Sequence, residues 1–385
     1  MRYRLNGLPG VEIDPDFASE RDWLAHLSLL AGLPYPSLAL MPSILAIVRA
    51  RVHCAVGSFG WTDADMNPTA FMTEHMSLRA YQWWISHASD FFAQCPIPAQ
   101  WDSRGESFRQ FIAAPEFART AFFDEVFASQ GQRWATLAPV RIAQGEGYGF
   151  LSVYREPEAG PFTDAEQARL WRGAQALAGL DRRHHAWQAP APVETALAGE
   201  ASLLIRPDGA LAARSQEAAR LLYLQGGANM HTLDWARMDW QALPAQVREA
   251  ASAMFEQPVP ELKRRVCLHQ PWGRFEFVLE KMPGHGAPAE ALVVAGIRYL
   301  EAIDITVARR LAGWPLSPRE KRLVVASTRS TSLAELAQAL GITVLTLKTY
   351  NRELMNRLRI GSRQQLIDGL LSDEAGRRDP LFRPP

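Results

Sequence analysis

The sequence predicts a multi-domain chain: two mixed α+β segments of sensor size, followed by an all-α domain of four short helices. Three observations carry this. The 385 residues exceed what one compact core accommodates, so the chain divides into two or three units. Twofold and helical hydrophobic periodicities interleave up to about residue 300, and helical periodicity alone remains beyond residue 316. Between the first two segments, Gln188 to Val193 (QAPAPV) is Pro/Ala-rich and aperiodic, as a linker is. The expected units are therefore 1–187, 194–300, a second linker at 301–315, and 316–375.

With 48% hydrophobic and 21% charged residues, the composition excludes large-scale disorder. The formal net charge of zero gives the whole chain no charge-driven affinity for nucleic acid or anionic membrane, though a total can hide a local patch. Cys54, Cys95 and Cys267 are far apart and form no ligand spacing, so a disulfide framework and a structural zinc site are both disfavoured and a reducing cytoplasm is expected. The opening MRYRLNGLPG has no apolar core of a secretory signal.

In the first segment, Leu27 to Val48 carries no charged side chain across 22 residues. Pro34, Pro36 and Pro42 interrupt it, so the expectation is a helix ending near Leu33, a loop, and a new helix starting at Pro42, not a membrane span. Trp134 to Ile142 and Phe150 to Tyr154, separated by Gly145-Glu-Gly-Tyr-Gly149, predict a β-hairpin. Thr163 and Glu166 form the capping box of the helix that follows, with Phe162 as a staple before the cap. Eight of the twelve tryptophans lie in this segment, and Trp61, Tyr81, Trp83, Trp84, Trp101 and Trp134 are its candidate ligand-lining residues. Aromatic rings give a small-molecule site large apolar area at low entropic cost, but they also build ordinary cores.

The second segment begins with a strand at Ser202-Leu-Leu-Ile-Arg206, a turn at Pro207-Asp-Gly209 and a helix from Ser215 to Tyr223. Arg264 to Leu268, Arg274 to Leu279 and Ala291 to Ile297 supply three more strands, the middle one alternating with period two. The third segment is a series of capped helices. Ser317 caps the first, with Pro318 at a position where its missing N–H costs nothing, and Leu323, Val324 and Ser327 face inward. Ser332 with Glu335 caps the second, whose Leu333, Leu336, Ala337 and Leu340 line one side up to Gly341. Thr343 caps the third, which is expected to bury Val344, Leu347, Leu354 and Leu358. A fourth runs from Ser362 to Leu371.

Two short helices joined through Gly341 meet the requirement of a helix-turn-helix. The residues Leu316-Ser-Pro-Arg-Glu, Glu335-Leu-Ala, Leu340-Gly-Ile-Thr, Thr346-Leu-Lys-Thr-Tyr, Leu354-Met-Asn-Arg-Leu and Ser362-Arg363 resemble the LuxR-type DNA-binding domain in order and spacing, over about 50 residues. From Leu316 to Leu370 nine Lys/Arg face four Asp/Glu, a local charge of +5 that the rest of the chain cancels. The resemblance implies that Lys348, Thr349 and Arg352 face base edges in the major groove. It assigns Thr346, Tyr350, Arg357, Ser332 and Arg363 to backbone positioning, and Leu366, Ile367 and Leu370 to dimerisation. Tyr350 departs from the family's usual His, and Ala334 from a common Lys, so fewer phosphate contacts are expected. More loosely, the first segment resembles a GAF domain through Gly149-Phe-Leu-Ser-Val-Tyr and Gly160-Pro-Phe-Thr163, and the second resembles a PAS domain through Leu204 to Gly209 and Ser215 to Leu222.

No catalytic constellation accompanies these features. Gly145 to Gly149 lies between strands and reads as a hairpin turn, not a phosphate loop. Thr73-Glu74-His75 and His184-His185 lack metal-ligand spacing and read as surface helix. The expectation is a cytoplasmic transcription regulator, not an enzyme, with no cofactor or metal and no membrane association. Its expected partners are double-stranded DNA, a second copy of the chain, a small-molecule effector and RNA polymerase. The alternative is a dimerisation or interaction protein whose sensor-like segments bind no ligand.

Overall fold

The computed structural model describes residues 3–5, 8–13, 17, 19–62, 68–77, 79–84, 86–87, 109, 112–141, 148–180, 195–226, 229–231, 243–256, 263–282, 291–330 and 332–372. The Gln188–Val193 linker, His184, His185, Phe91, Phe92, Trp101, Cys95 and most of the Gly145–Gly149 turn lie outside them.

A short hairpin, β1 (Tyr3–Leu5) and β2 (Leu8–Ile13), leads into helices α1 (Glu20–Ala31) and α2 (Ser37–Val52). The second helix begins five residues before the expected Pro42, which lies inside it. Pro36 occupies its N-cap, where a fixed φ directs the chain into a helix, and 14 of its 16 residues are buried. Tertiary burial of this apolar helix outweighs the hydrogen bond that Pro42 forfeits. No helix among the described residues is long and apolar enough to cross a membrane.

Strands β3 (Val56–Thr62), β4 (Pro68–Thr73), β5 (Trp134–Arg141) and β6 (Tyr148–Arg155) form an antiparallel sheet. The β5–β6 pairing is the expected hairpin. Helix α3 (Asp164–Ala176) carries the Thr163–Glu166 capping box and packs with α1 and α2. Trp23 of α1 is fully buried and donates its indole N–H to the Ile47 carbonyl at 3.2 Å. A Cβ at Gly173 would lie 2.6 Å from that ring, so only glycine lets α3 approach α1 so closely. Phe162 is buried and packs under the Arg155 guanidinium, whose carbon lies 4.0 Å from the ring centre.

The second sheet comprises β7 (Thr195–Ile205), β8 (Leu211–Arg214), β10 (Lys263–Gln270), β11 (Gly273–Met282) and β12 (Leu292–Ala302), in the order β10-β11-β12-β7-β8 and antiparallel throughout. Helices α4 (Gln216–Gly226) and α5 (Ala245–Glu256) pack on it. Within β11 the alternation breaks at Glu276, which is buried among Phe275 and Phe277 because Arg274 (2.9 Å) and Arg298 (3.6 Å) neutralise it. Strand β9 (Asn229–His231) comes from the second segment but pairs with β4, completing the first sheet in the order β5-β6-β3-β4-β9. The boundary drawn near residue 194 is thus crossed by a strand that covers an otherwise open edge.

Residues 301–315, expected as a linker, hold helix α6 (Ile303–Arg310), every residue of which is buried. Four further helices follow: α7 (Pro318–Ser327), α8 (Leu333–Ala339), α9 (Val344–Leu358) and α10 (Arg363–Leu371). Both α7 and α10 pack on α6, and α7 also contacts α1. Among the described residues the chain is therefore a mixed α/β protein with two five-stranded antiparallel sheets, the short β1–β2 hairpin and C-terminal helices.

Candidate nucleic-acid interface

The C-terminal helices are built by their caps. Ser317 and Glu320, and likewise Ser332 and Glu335, form reciprocal capping boxes, and Thr343 and Ser362 accept the N–H groups of Thr346 and Gln365. Each cap satisfies a helix-end N–H that would otherwise lack a partner, worth about 1 kcal/mol. Between α8 and α9 the chain turns at Gly341, whose φ of +65° lies in the left-handed region. Leu336 and Ala337 of α8 and Leu347, Leu354 and Leu358 of α9 form the shared core.

Leu333 and Val344, expected inside, are each 38% exposed. Both follow an N-cap directly, and side chains lean toward a helix's N-terminus, so a first-position residue projects past its neighbours.

Lys348 and Arg352 are exposed, one turn apart on α9, with Thr349 half-buried between them. Thr349 donates its hydroxyl to the Leu345 carbonyl at 3.3 Å. The resulting face carries two exposed basic side chains. Leu345, absent from the sequence-derived set, lies on the same face and is 77% exposed. Its only signal in the sequence is an apolar residue out of phase with Val344, Leu347, Leu354 and Leu358. The backbone of β2 runs beside α9.

Four of the five residues expected to hold the nucleic-acid backbone already have partners within the fold. The Tyr350 hydroxyl accepts from Arg319 at 2.6 Å, and that guanidinium sits 5.0 Å from the phenol ring centre. Arg357 pairs with Glu320 at 2.6 Å, tying α9 to α7. Thr346 exchanges a hydroxyl hydrogen bond with Thr343 at 2.9 Å, and Ser332 accepts from the Glu335 N–H at 3.2 Å. Arg363 is partly buried, and burial holds its pKa below the usual guanidinium value. Arg319, like Leu345, belongs to this surface and was not singled out from the sequence.

Leu366, Ile367 and Leu370, expected at a dimer interface, are 1%, 7% and 0% exposed within the single chain. They are spent against α6 and α7, and Arg310 donates to the Leu370 carbonyl at 3.0 Å. An amphipathic helix buries its apolar stripe wherever it first finds one, and here the chain itself supplies it.

Of the candidate ligand-lining aromatics within the described residues, Trp61, Tyr81 and Trp84 are packed core, and Trp83 and Trp134 lie partly buried against it. Trp61 is 1% exposed and donates to Ser37 Oγ at 3.0 Å; Tyr81 and Trp84 are also buried. Trp84, with Trp83, meets Phe122 in a cluster that includes Phe117, Phe123 and Phe127. Trp134 lies under the Arg133 guanidinium at 4.2 Å. Thr73-Glu74-His75 is not surface helix: Thr73 ends β4, and the half-buried Glu74 binds Arg49 (3.0 Å) and the Gly57 N–H (2.9 Å) through its carboxylate. Among the described residues no three His, Cys, Asp or Glu converge as a metal site would require.

No family model matches the chain, and no curated protein matches it. Among solved structures it is similar to the phage VqmA–DPO complex, at 17% identity and a TM-score of 0.19 over 46% of this chain and 84% of that one. The VqmA dimer of Vibrio cholerae, described with LuxR-type receptors, gives 14% identity and 0.19 over the same shares, 46% and 84%. SdiA in complex with octanoyl-rac-glycerol gives 12% identity and 0.23 over 92% of this chain and 88% of that one. At TM-scores this low the likenesses carry no argument about this chain.

Proposed function

We propose that the chain is a sequence-specific DNA-binding regulator of transcription, cytoplasmic and not an enzyme, controlled by a signal received in its GAF-like and PAS-like N-terminal segments. The observation that carries this is the exposed face of α9, where Lys348, Thr349 and Arg352 stand together after a left-handed Gly341 turn. The LuxR-type motif from Leu316 to Arg363 supports reading α8 and α9 as a helix-turn-helix. With α9 in the major groove, Lys348 and Arg352 donate to guanine O6 and N7, and the methyl groups of Thr349 and Leu345 meet thymine methyls.

The internal hydrogen bonds of the surrounding residues serve this reading. Because the Tyr350 oxygen accepts from Arg319, its own proton is left to donate to a phosphate. Ser332 caps α8 through its oxygen and keeps a hydroxyl proton to donate beside the helix N-terminus, where anions are favoured. Arg357 must exchange Glu320 for a phosphate, which lowers its contribution. A dimer built through Leu366, Ile367 and Leu370 would first require α10 to leave α6, so a homodimer with α10 docked as here uses another surface.

The test is fragment-library DNA binding by the full chain and by Lys348→Ala and Arg352→Ala, across a salt series. The expected outcome is enrichment of a defined sequence, with each substitution costing about 1–3 kcal/mol on that sequence and little on random DNA. Affinity for the site falls steeply with salt as counterions are released. Equal, weak binding to all fragments by all three proteins sinks the proposal.

A further inference from the structure

Where α7 docks on α1, a cavity of about 260 Å³ remains, walled by Asp22, His26 and Leu29 from one side and by Leu316, Lys321 and Arg322 from the other. Its contents are unlike those of a packing defect. Lys321 is only 4% exposed and makes no ion pair among the described residues; its ammonium sits 5.8 Å from the centre of the buried Phe17 ring. His26 is 1% exposed, and among the described residues neither ring nitrogen completes a hydrogen bond, the Ala308 backbone lying near it without doing so. Phe17 packs against His26 at 5.5 Å between ring centres and holds a left-handed φ of +63°, a conformation costly for a bulky residue. A strained aromatic, an unsatisfied imidazole and an unpaired ammonium therefore meet at one cavity.

We infer that this cavity is a binding site for a small carboxylic acid with a compact apolar body, its carboxylate on Lys321 and its tail against Leu29 and Leu316. The volume is just below the ~300–1,000 Å³ of sites for drug-sized ligands, so the occupant is small. Charge favours an anion: Lys321 inside and Arg322 exposed at the rim face a single carboxylate, Asp22, which is engaged by the Ser19 hydroxyl at 2.8 Å. Burial, only partly offset by Asp22, lowers the Lys321 pKa to about 8, which marks an ammonium lacking the counter-ion it needs. A ligand carboxylate supplies that counter-ion and forms a charge-assisted hydrogen bond.

The position gives the site a consequence. A ligand here touches both the N-terminal domain and the first C-terminal helix, so it stabilises the docked arrangement of α7 on α1. If DNA prefers either the docked or undocked arrangement, ligand and DNA alter each other's affinity by the same factor. This coupling, unlike the binding itself, rests on the DNA-binding reading above.

The experiment is calorimetric titration and thermal melting of the full chain with hexanoate, octanoate and benzoate, and with the corresponding amides. At least one acid is expected to bind and raise the melting temperature while its amide does not. Lys321→Met, which removes the buried charge, is expected to weaken that acid at least tenfold. Ala25→Leu, which fills the cavity and leaves every charge in place, is expected to do the same and carries the test if the first variant does not fold. Binding of none of the acids, or undiminished binding by both variants, overturns the assignment. So does tighter binding of 2-aminooctanoate than of octanoate, which would make the occupant a zwitterion. Selected DNA bound without any acid sinks the cavity alone; an acid bound without sequence-selective DNA sinks only the regulator.

Discussion

At the scale of single residues, the sequence identifies chemistry more readily than surroundings. Lys348, Thr349 and Arg352 were legible as a group because a motif of caps and apolar positions set their phase, and the fold leaves them on one open face. Lys321 was not legible, because a lysine on an amphipathic helix ordinarily faces water; only the approach of α1 and Phe17 buries it. Its lowered pKa has a measurable signature. Between about pH 8 and the ordinary lysine value of 10.5 the unfolded chain binds the extra proton, so stability rises with pH across that window. Below about pH 8 both states are protonated and the full penalty, on the order of 3 kcal/mol, is present. Lys321→Met is therefore expected to raise the melting temperature at pH 7 and to flatten the rise between pH 8 and 10. A melting profile that keeps its wild-type slope in the variant would show that another group titrates there.

Helix ends were the most readable elements. Thr163, Ser317, Ser332 and Thr343 all cap as expected, since capping is a local competition for helix-end N–H groups that neighbouring residues decide. Glu166 shows how such a box combines with a longer contact: burial pushes its pKa up, yet Arg155 and the Thr163 backbone and hydroxyl outweigh this and hold it at about 2. Helix α2 shows the limit, because local rules place its start at Pro42 and long-range burial moves it to Ser37. The turn between α8 and α9 is again local. A Cβ at Gly341 would meet nothing within 4 Å, so the cost of Gly341→Ala is conformational alone, about 1–2 kcal/mol. Gly341→Asn, which tolerates φ above zero, is expected to recover most of that loss in chemical denaturation. Equal losses for Ala and Asn would mean that the turn has a different constraint.

For the whole molecule, the controlling feature is the joint around α6. Arg309 is fully buried, pairs with Glu301 at 2.5 Å and donates to Ser43 Oγ of α2 at 2.8 Å. Tyr299 and Thr306 hydrogen-bond the same Glu301 carboxylate at 3.0 and 2.8 Å. Nearby, Tyr35 donates to Asp304 at 2.8 Å, and Arg329 of the C-terminal helices approaches Asp304 at 3.5 Å. Burial raises the Asp304 pKa despite these partners. Removing one member of a buried pair strands the other, so Arg309→Met is expected to cost about 3–5 kcal/mol, and Glu301→Gln in the same chain to return part of it. Urea titration of the two single variants and the double variant measures this coupling; additive losses would show that the pair acts independently.

Sequence alone determined what short-range physics decides: strands from alternation, helix ends from caps, the Gly341 turn, and a basic C-terminal segment that a neutral total charge concealed. Tertiary structure decided what depends on residues far apart meeting. It turned the expected linker at 301–315 into a buried helix, carried β9 into the first sheet, and spent Leu366, Ile367 and Leu370 inside one chain. It also placed Lys321 beside His26 in a cavity. Periodicity records which face of an element is apolar but not what covers it, and the covering surface follows from the packing of all the elements together.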